Sequence, residues 1–593
     1  MFFSGCSALL LEMVWLRRLS LQLGSAGLSA TVTLAIYMGG LGLGSWFGDI
    51  LKSTRPIRTY AKLELFVGVW ALFFPLLLNG LSPTFLGSSG MSLLLSIPLL
   101  LPPALAHGAT LPVLAMVTDS ADDTGGLYAM NTLGAVCGVL GAAFIWMPNV
   151  GVRGTELIGV GMCVSVAGLA YAQKVVRVSD SSTSLKSIIP ISILVLMGVV
   201  GLVSMSLEVV WARLGALLIG GSVYAFAIVL SVFLVGIALG AHLGRKMGKE
   251  MLAHSAIGMG LCTLLGAYSW RWLPHGLAIG WDWFGEGSLL PVGALLLVVS
   301  MAGAPVASGM VFSICLQHGQ GSMRSISSRV LMVNTIGGVI GVVITGPVLM
   351  PMLGIVNTTI LLSLLCLLGG AGIILRHRPK FSFGAIVGFT VLTLGMPTWD
   401  VAVYATGLYN RIGEFVDLSP RAIEQFAHEG WEAKYYIDGH SASIAVGQST
   451  RTQNLWLSIN GKVDASTGED MPTQILSGEL PLKIHAKERA VETLVVGLAS
   501  GVTANEARKQ GANPLTVVEL EPAIVDAARL FQRVNDGIVD HPNTIIRVAD
   551  ARAVLQHESI QYDVIVSEPS NPWITGVSNL FTVEYWTLGR QRL

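Results

Sequence analysis

Charge is scarce in this chain of 593 residues: Asp, Glu, Lys and Arg together make up 12%, where soluble proteins carry roughly 25%. Hydrophobic residues reach 52% and mean hydropathy is +0.67. An ordinary soluble globule is excluded. The apolar residues fall in repeated runs of about 20, the length that crosses a bilayer core. Cysteine is sparse as well. All six (Cys6, Cys137, Cys163, Cys262, Cys315 and Cys366) lie in apolar segments, none with CxxC spacing. A disulfide framework is not expected, and the spacing offers no zinc site. The N-terminus lacks a charged leading region and a small-residue cleavage site, so no removable signal peptide is expected.

The formal net charge of zero hides two unlike parts. Residues 1–399 hold 20 Lys+Arg against 12 Asp+Glu, and residues 400–593 hold 16 against 24. The apolar block therefore ends near Asp400, and an acidic, soluble part follows. Phosphate binding needs a basic footprint, so nucleic acid is not an expected partner.

The apolar part is built twice. Glu12-Met13-Val14-Trp15-Leu16-Arg17 recurs as Glu208-Val209-Val210-Trp211-Ala212-Arg213, an offset of 196 residues. Asn131-Thr132-Leu133-Gly134 recurs as Asn334-Thr335-Ile336-Gly337, and Met147-Pro148 as Met350-Pro351, at an offset of 203. Hydropathy predicts six spans per copy: 2–23, 28–50, 63–82, 91–117, 127–147 and 155–173, then 188–218, 223–244, 253–271, 288–315, 328–350 and 355–375. An even number per copy makes the repeats parallel, as in the halves of major-facilitator transporters. Duplication shows ancestry and packing; transport does not follow from it alone.

Lys and Arg gather at 52–62, 174–186, 245–249 and 376–380, all on one side of a twelve-span arrangement, which the positive-inside rule makes cytoplasmic. Arg17-Arg18 is the exception. A further apolar stretch, Phe381–Trp399, leaves two placements open: outside the cytoplasm for the acidic part if it spans, inside if it does not. Glu12, Glu208 and His107 sit within apolar segments, where ionisable groups are expensive and often functional. Each glutamate has an Arg five residues on, so a local ion pair is one expectation and a transport role the other.

Beyond residue 400, alternation and the Asn460-Gly461 hairpin signal predict a small β segment over 430–466. Strands are expected at Thr493–Gly497, Leu515–Glu519, Thr544–Val548 and Asp563–Val566, with helices near 502–510, 522–533 and 551–556. This alternation implies a parallel, doubly wound α/β sheet, Rossmann-like, whose ligand lies past the carboxyl ends of the strands. The first strand runs into Gly497-Leu498-Ala499-Ser500-Gly501, a turn that lets a ligand approach the backbone. The second ends in Glu519-Leu520-Glu521-Pro522, a place for a carboxylate to accept ribose hydroxyls. The third ends in Ala549-Asp550-Ala551, the fourth in Ser567-Glu568-Pro569-Ser570-Asn571-Pro572-Trp573. Together these positions favour an adenosine-containing ligand.

Residues 460–593 resemble the spermidine synthase (polyamine aminopropyltransferase) family, and the whole chain resembles its bacterial membrane-fused members. The motifs that carry this are Asn460-Gly461-Lys462-Val463 through Gln474, Leu480-Pro481-Leu482, the 495–501 turn, Val518-Glu519-Leu520-Glu521, Asp550, and Tyr562-Asp563-Val564-Ile565 with Glu568 to Pro572 and Leu580-Phe581-Thr582. The resemblance implies transfer of an aminopropyl group from decarboxylated S-adenosylmethionine to putrescine or another amine, with no tightly bound cofactor and no metal. It places Glu519 on ribose, Asp550 with Ala551 at adenine, Gly497, Ser500 and Gly501 around the donor, Glu568 as base, and Gln474, Ser570 and Asn571 near the amine. The family has aspartates at the positions of Ser500, Glu568 and Asn571, so amine affinity is expected to be reduced.

The organisation expected is a membrane repeat at 1–190, a second at 191–400, a β-rich segment at 401–480, and a Rossmann domain at 481–593 that ends short of the family's full fold. The expected setting is a bacterial inner or plasma membrane, with the lipid bilayer and a small amine as partners and homo-oligomerisation open. Two other readings stay open: a methyltransferase on S-adenosylmethionine, and a transporter or sensor whose nucleotide domain only binds.

Overall fold

The computed structural model describes all residues except 24–26, 52, 81–88, 119, 174–187, 376–378 and 486–489. Of the basic loop residues, Lys52, Lys174, Arg177, Lys186, Arg376 and Arg378 lie outside the described residues.

The apolar runs form helices because a helix satisfies every internal backbone group without water. In chain order they are α1 (Phe2–Leu23), α2 (Gly27–Ile50), α3 (Pro56–Gly80), α4 (Ser89–Leu114), α5 (Ala121–Leu140), α6 (Met147–Ala172), α7 (Ile191–Ile219), α8 (Val223–Gly244), α9 (Met251–Ser269), α10 (Leu273–Phe284), α11 (Leu289–Met301), α12 (Gly303–Gln317), α13 (Met323–Ile344), α14 (Met350–Ile374) and α15 (Pro379–Leu394). Among the described residues seven helical stretches are long and apolar enough to cross a membrane, or eight if the bent α11–α12 pair is one span. The twelve expected from hydropathy differ partly because two of the seven are 52-residue stretches, Ala121–Ala172 and Met323–Ile374. Each is broken at a glycine, Gly151 (φ 70°) and Gly354 (φ 74°), a conformation that L side chains avoid. Past Gly151 the chain turns back along α1: Glu156 meets Arg18, and Gly159 faces Leu10 and Leu11. α10 lies between two expected spans and was not anticipated. α15 has 16 residues, about 24 Å of helix, short of a bilayer core of about 30 Å.

Close packing recurs at the repeat offset. A Cβ on Gly44 of α2 would meet Leu105 O of α4 at 2.1 Å, and one on Gly240 of α8 would meet Val306 O of α12 at 1.9 Å. Only glycine lets these backbones touch.

After three short helices, α16 (Val401–Ala405), α17 (Leu408–Arg411) and α18 (Pro420–His428), four strands form an antiparallel meander: β1 (Trp431–Asp438), β2 (Ser443–Ser449), β3 (Leu455–Ile459) and β4 (Lys462–Ser466). Asn460 (φ 49°) and Gly461 (φ 82°) make the expected two-residue turn, both at the positive φ a type I′ hairpin needs. Next come α19 (Met471–His485), β5 (Val491–Val496), α20 (Val502–Lys509), β6 (Ala512–Glu519), α21 (Pro522–Arg529), α22 (Gln532–Asn535), β7 (Thr544–Val548), α23 (Ala551–His557), β8 (Val564–Ser567) and α24 (Val583–Gln591). The second sheet is parallel in the order β7-β6-β5-β8. The chain winds outward from β5 to β7, then returns to the other side of β5. One apolar core serves both sheets: Ile444, Val446 and Leu457 join Val495, Val517 and Phe531.

The α/β part rests on one end of the helices. Arg213 of α7 donates to Gly439 O at 3.3 Å and to His440 O at 3.4 Å. Asp438 Oδ2 accepts from Ile355 N of α14 at 2.9 Å, and Arg17 of α1 donates to Ser578 Oγ at 3.1 Å. The local ion pairs expected for Glu12 and Glu208 are not among the described ones, because their neighbouring arginines reach for the α/β part instead. Further basic residues lie at the other end, where Arg324 pairs with Asp49 and Arg245 with Asp122.

Candidate active site

A strand order that reverses beside β5 leaves a crevice at the carboxyl ends of β5 and β8, and the sequence-predicted residues sit around it. The turn after β5 has three residues at positive φ: Gly497 (89°), Ala499 (45°) and Gly501 (80°). For Ala499 that conformation is strained, and such strain gathers at ligand-binding turns. Gly501 then opens α20.

Glu519 ends β6 and is buried. Its Oε2 accepts from Leu498 N of the turn at 2.9 Å, and its Oε1 accepts from Glu521 N at 3.0 Å. Burial raises its pKa, and backbone N–H donors oppose the rise. The two strand ends are thus held as one edge, and each carboxylate oxygen keeps a lone pair for a further donor. Ser500 and Gln474 are brought together: the Ser500 hydroxyl donates to Gln474 Oε1, and Gln474 Nε2 donates to Ser466 O at 2.8 Å. Both are buried. Asn535 Nδ2 donates to Ser500 O at 2.7 Å and fixes the turn from behind. Asp550 caps α23, accepting from Ala553 N at 3.1 Å, with Ala551 buried beside it.

Glu568 lies past β8. It is exposed by area, yet enough protein surrounds it that lost hydration is the largest cause raising its pKa. The carboxylates of Asp470 and Asp464 add to the rise, and the Lys462 ammonium opposes it. Ser570 donates to Asp464 Oδ1 at 2.7 Å and accepts from Lys462 Nζ at 3.1 Å, while Lys462 pairs with Asp464. Asn571 is half-buried, and its Oδ1 has no hydrogen-bond partner.

Three contributors escaped sequence reasoning. Asp464 and Asp470 surround Glu568 only because the β4–α19 segment folds over the loop after β8. Glu521 is almost fully buried and accepts from His440 N at 3.2 Å, Ser441 N at 2.7 Å and Ser441 Oγ at 2.6 Å. Its signal, a second acid two residues after Glu519, was visible, but its partners lie some 80 residues away.

No family model matches the chain. The polyamine aminopropyltransferase of Oceanobacillus iheyensis is 24% identical over 421 residues, covering 67% of this chain and 74% of that protein. Polyamine aminopropyltransferase 1 of Streptomyces coelicolor is 22% identical over 403 residues, covering 65% and 70%. The chain is similar to polyamine aminopropyltransferases. Both alignments are longer than everything after residue 400, so the likeness reaches into the helices. The spermidine synthase of Dictyostelium discoideum is 26% identical over 132 residues, 22% of this chain and 45% of that one. A solved spermidine synthase from Thermotoga maritima has 18% identity and a TM-score of 0.25, covering 27% of this chain and 53% of that one. The named relatives are transferases.

Proposed function

We propose that this chain is a membrane-embedded aminopropyltransferase using decarboxylated S-adenosylmethionine, built from two parallel helical repeats ahead of a β-rich segment at 401–480 and a Rossmann-type domain at 481–593. The mated glycines at Gly44 and Gly240, and at Gly151 and Gly354, support the repeat arrangement. The observation that carries the enzyme reading is the Glu519–Leu498 hydrogen bond, which joins the glycine turn and the β6 carboxylate into one nucleoside-binding edge facing Asp550 and Glu568. Glu519 accepts the ribose hydroxyls, Asp550 with Ala551 seats the adenine, and Gly497, Ser500 and Gly501 shape the wall beside the sulfonium.

Glu568 takes a proton from the attacking ammonium. The freed nitrogen lone pair then forms a C–N bond to the carbon next to sulfur, and the C–S bond breaks to leave a neutral thioether. Positioning and deprotonation are the main requirements. The acceptor is a small cation, because Asp464 and Asp470 add negative charge where Ser500 and Asn571 do not. Ser570 holds Asp464 in place.

Calorimetric titration of the detergent-solubilised full chain with decarboxylated S-adenosylmethionine, S-adenosylmethionine and methylthioadenosine tests this reading. Preference for the decarboxylated donor, lost in Glu519→Ala, is the expected result. Preference for S-adenosylmethionine would indicate methyl transfer instead, and no binding by any of the three would overturn both.

A further inference from the structure

Three side chains from three helices of the first repeat meet in the apolar interior, far from the α/β site: Glu64 on α3, His107 on α4 and Cys163 on α6. Their ligand-type atoms lie within 4.8 Å of one another, and all three residues are buried. Two of the three atoms a metal would use are left without partners. His107 Nε2 and Glu64 Oε2 have no hydrogen-bond partner, whereas Glu64 Oε1 accepts from the Ser4 hydroxyl.

The surroundings also favour one imidazole tautomer. Tyr37 Oη lies 3.3 Å from Ala8 O and 3.1 Å from His107 Nδ1. A carbonyl oxygen only accepts, so both contacts are hydrogen bonds in one arrangement: the phenolic proton goes to Ala8, and Nδ1 carries the hydrogen that Tyr37 receives. The Nε2 lone pair then faces the cluster. Fixing of one ring nitrogen by an outer partner is the usual arrangement around metal-bound histidine.

We propose that Glu64, His107 and Cys163 bind a divalent transition metal, with zinc preferred. One thiolate, one imidazole and one carboxylate match the borderline softness of zinc and leave a fourth tetrahedral position open. Charge argues the same way. Cys163 and Glu64 bind as anions and together cancel the dication, so the three ligands and the ion carry no net charge in a medium hostile to it. Tyr37 also lines a small cavity with Glu12 and Thr33, adjacent to the site.

The second repeat lacks this set, so its presence is not a by-product of duplication. At the repeat offset Cys163 maps to Cys366, which instead contacts Met259 Sδ. Gly108, packed on Leu41 O, maps to Gly309, packed on Ile237 O, which puts Ser308 where His107 stands. The helix corresponding to α3 is α9, and it carries no carboxylate at all. The ion would therefore clip α3, α4 and α6 of one half only.

The test uses the purified full chain in detergent, loaded with Zn²⁺ or Co²⁺ and washed with a weak chelator. The expected result is one equivalent of metal by elemental analysis and a thiolate-to-cobalt charge-transfer band. Cys163→Ser should abolish that band and, like His107→Gln, weaken retention at least tenfold, while Cys366→Ser changes neither. Tyr37→Phe keeps all three ligands and should weaken binding by about 10–100-fold, the usual effect of losing an outer-shell partner. It keeps the test informative if a ligand variant fails to fold. Wild-type protein that retains less than a tenth of an equivalent, or retention equal in wild type, Cys163→Ser and Tyr37→Phe, would overturn the site.

Discussion

Glu568 and its neighbours make a prediction that separates chemistry from architecture. A base with a raised pKa works only after it has lost its proton, so the rate should climb with pH through a value above the usual carboxylate range. Lys462 opposes the rise, so Lys462→Met should move the acid limb of the pH–rate profile to higher pH. Asp470→Asn removes a repelling carboxylate and should move it lower. Glu568→Gln should cut kcat by about 10²–10⁴-fold, the usual worth of a general base, with little change in donor affinity by calorimetry. An acid limb that ignores all these changes would remove Glu568 from the base role. At this scale the strand-end residues Glu519, Asp550 and Glu568 were legible, because position at a strand terminus is a local property. The commitment of Ser500 to Gln474 was not, since their 26-residue separation closes only when α19 packs on α20.

Helices and strands were read well where a period or a turn signal was strong, as at the β3–β4 hairpin and the strands β5 to β8. The reading was weaker where apolar composition alone spoke. Hydropathy cannot see that Phe381–Trp399 becomes the short helix α15, or that α10 interrupts the loop between two spans. The broken stretches give the test at this scale. A Cβ on Gly151 meets nothing within 4 Å, so Gly151→Ala carries only the backbone cost of its positive-φ, extended-ψ conformation, about 1–3 kcal/mol. At Gly354 a Cβ would stand 3.4 Å from Asp438 Oδ2, an ordinary contact, so Gly354→Ala should lower the thermal midpoint of the solubilised protein by a similar amount. Equal, negligible losses for both would mean these breaks are not needed to turn the chain.

The whole molecule places the α/β part at the helix ends that hold Arg17, Gly221 and Ile355. Arg55, Arg58, Lys62, Arg245, Lys246, Lys249 and Arg324 lie at the opposite ends. If the basic ends face the cytoplasm, the candidate site faces the other way, and the proposed donor and acceptor would have to be supplied there. An impermeant maleimide should then label Arg590→Cys in intact cells and Lys249→Cys only after permeabilisation. Labelling of both from one side would overturn this orientation. Removal of the Arg213 guanidinium, which donates to two carbonyls of the β1–β2 turn, should loosen the seat: Arg213→Met is expected to increase proteolysis between α15 and β1 without unfolding either sheet, seen by limited digestion.

By itself the sequence determined what depends on neighbours along the chain: the apolar runs, the duplication, the alternation of strands and helices, and the chemical types standing at strand ends. These are set by periodicity and by backbone preference, which act over a few residues. Only the tertiary structure decided which distant groups meet. It brought Asp464 and Asp470 to Glu568, Glu521 to the β1–β2 turn, and Glu64, His107 and Cys163 to one point among three helices. Such meetings depend on packing, and packing is fixed by the fit of whole surfaces rather than by any local pattern.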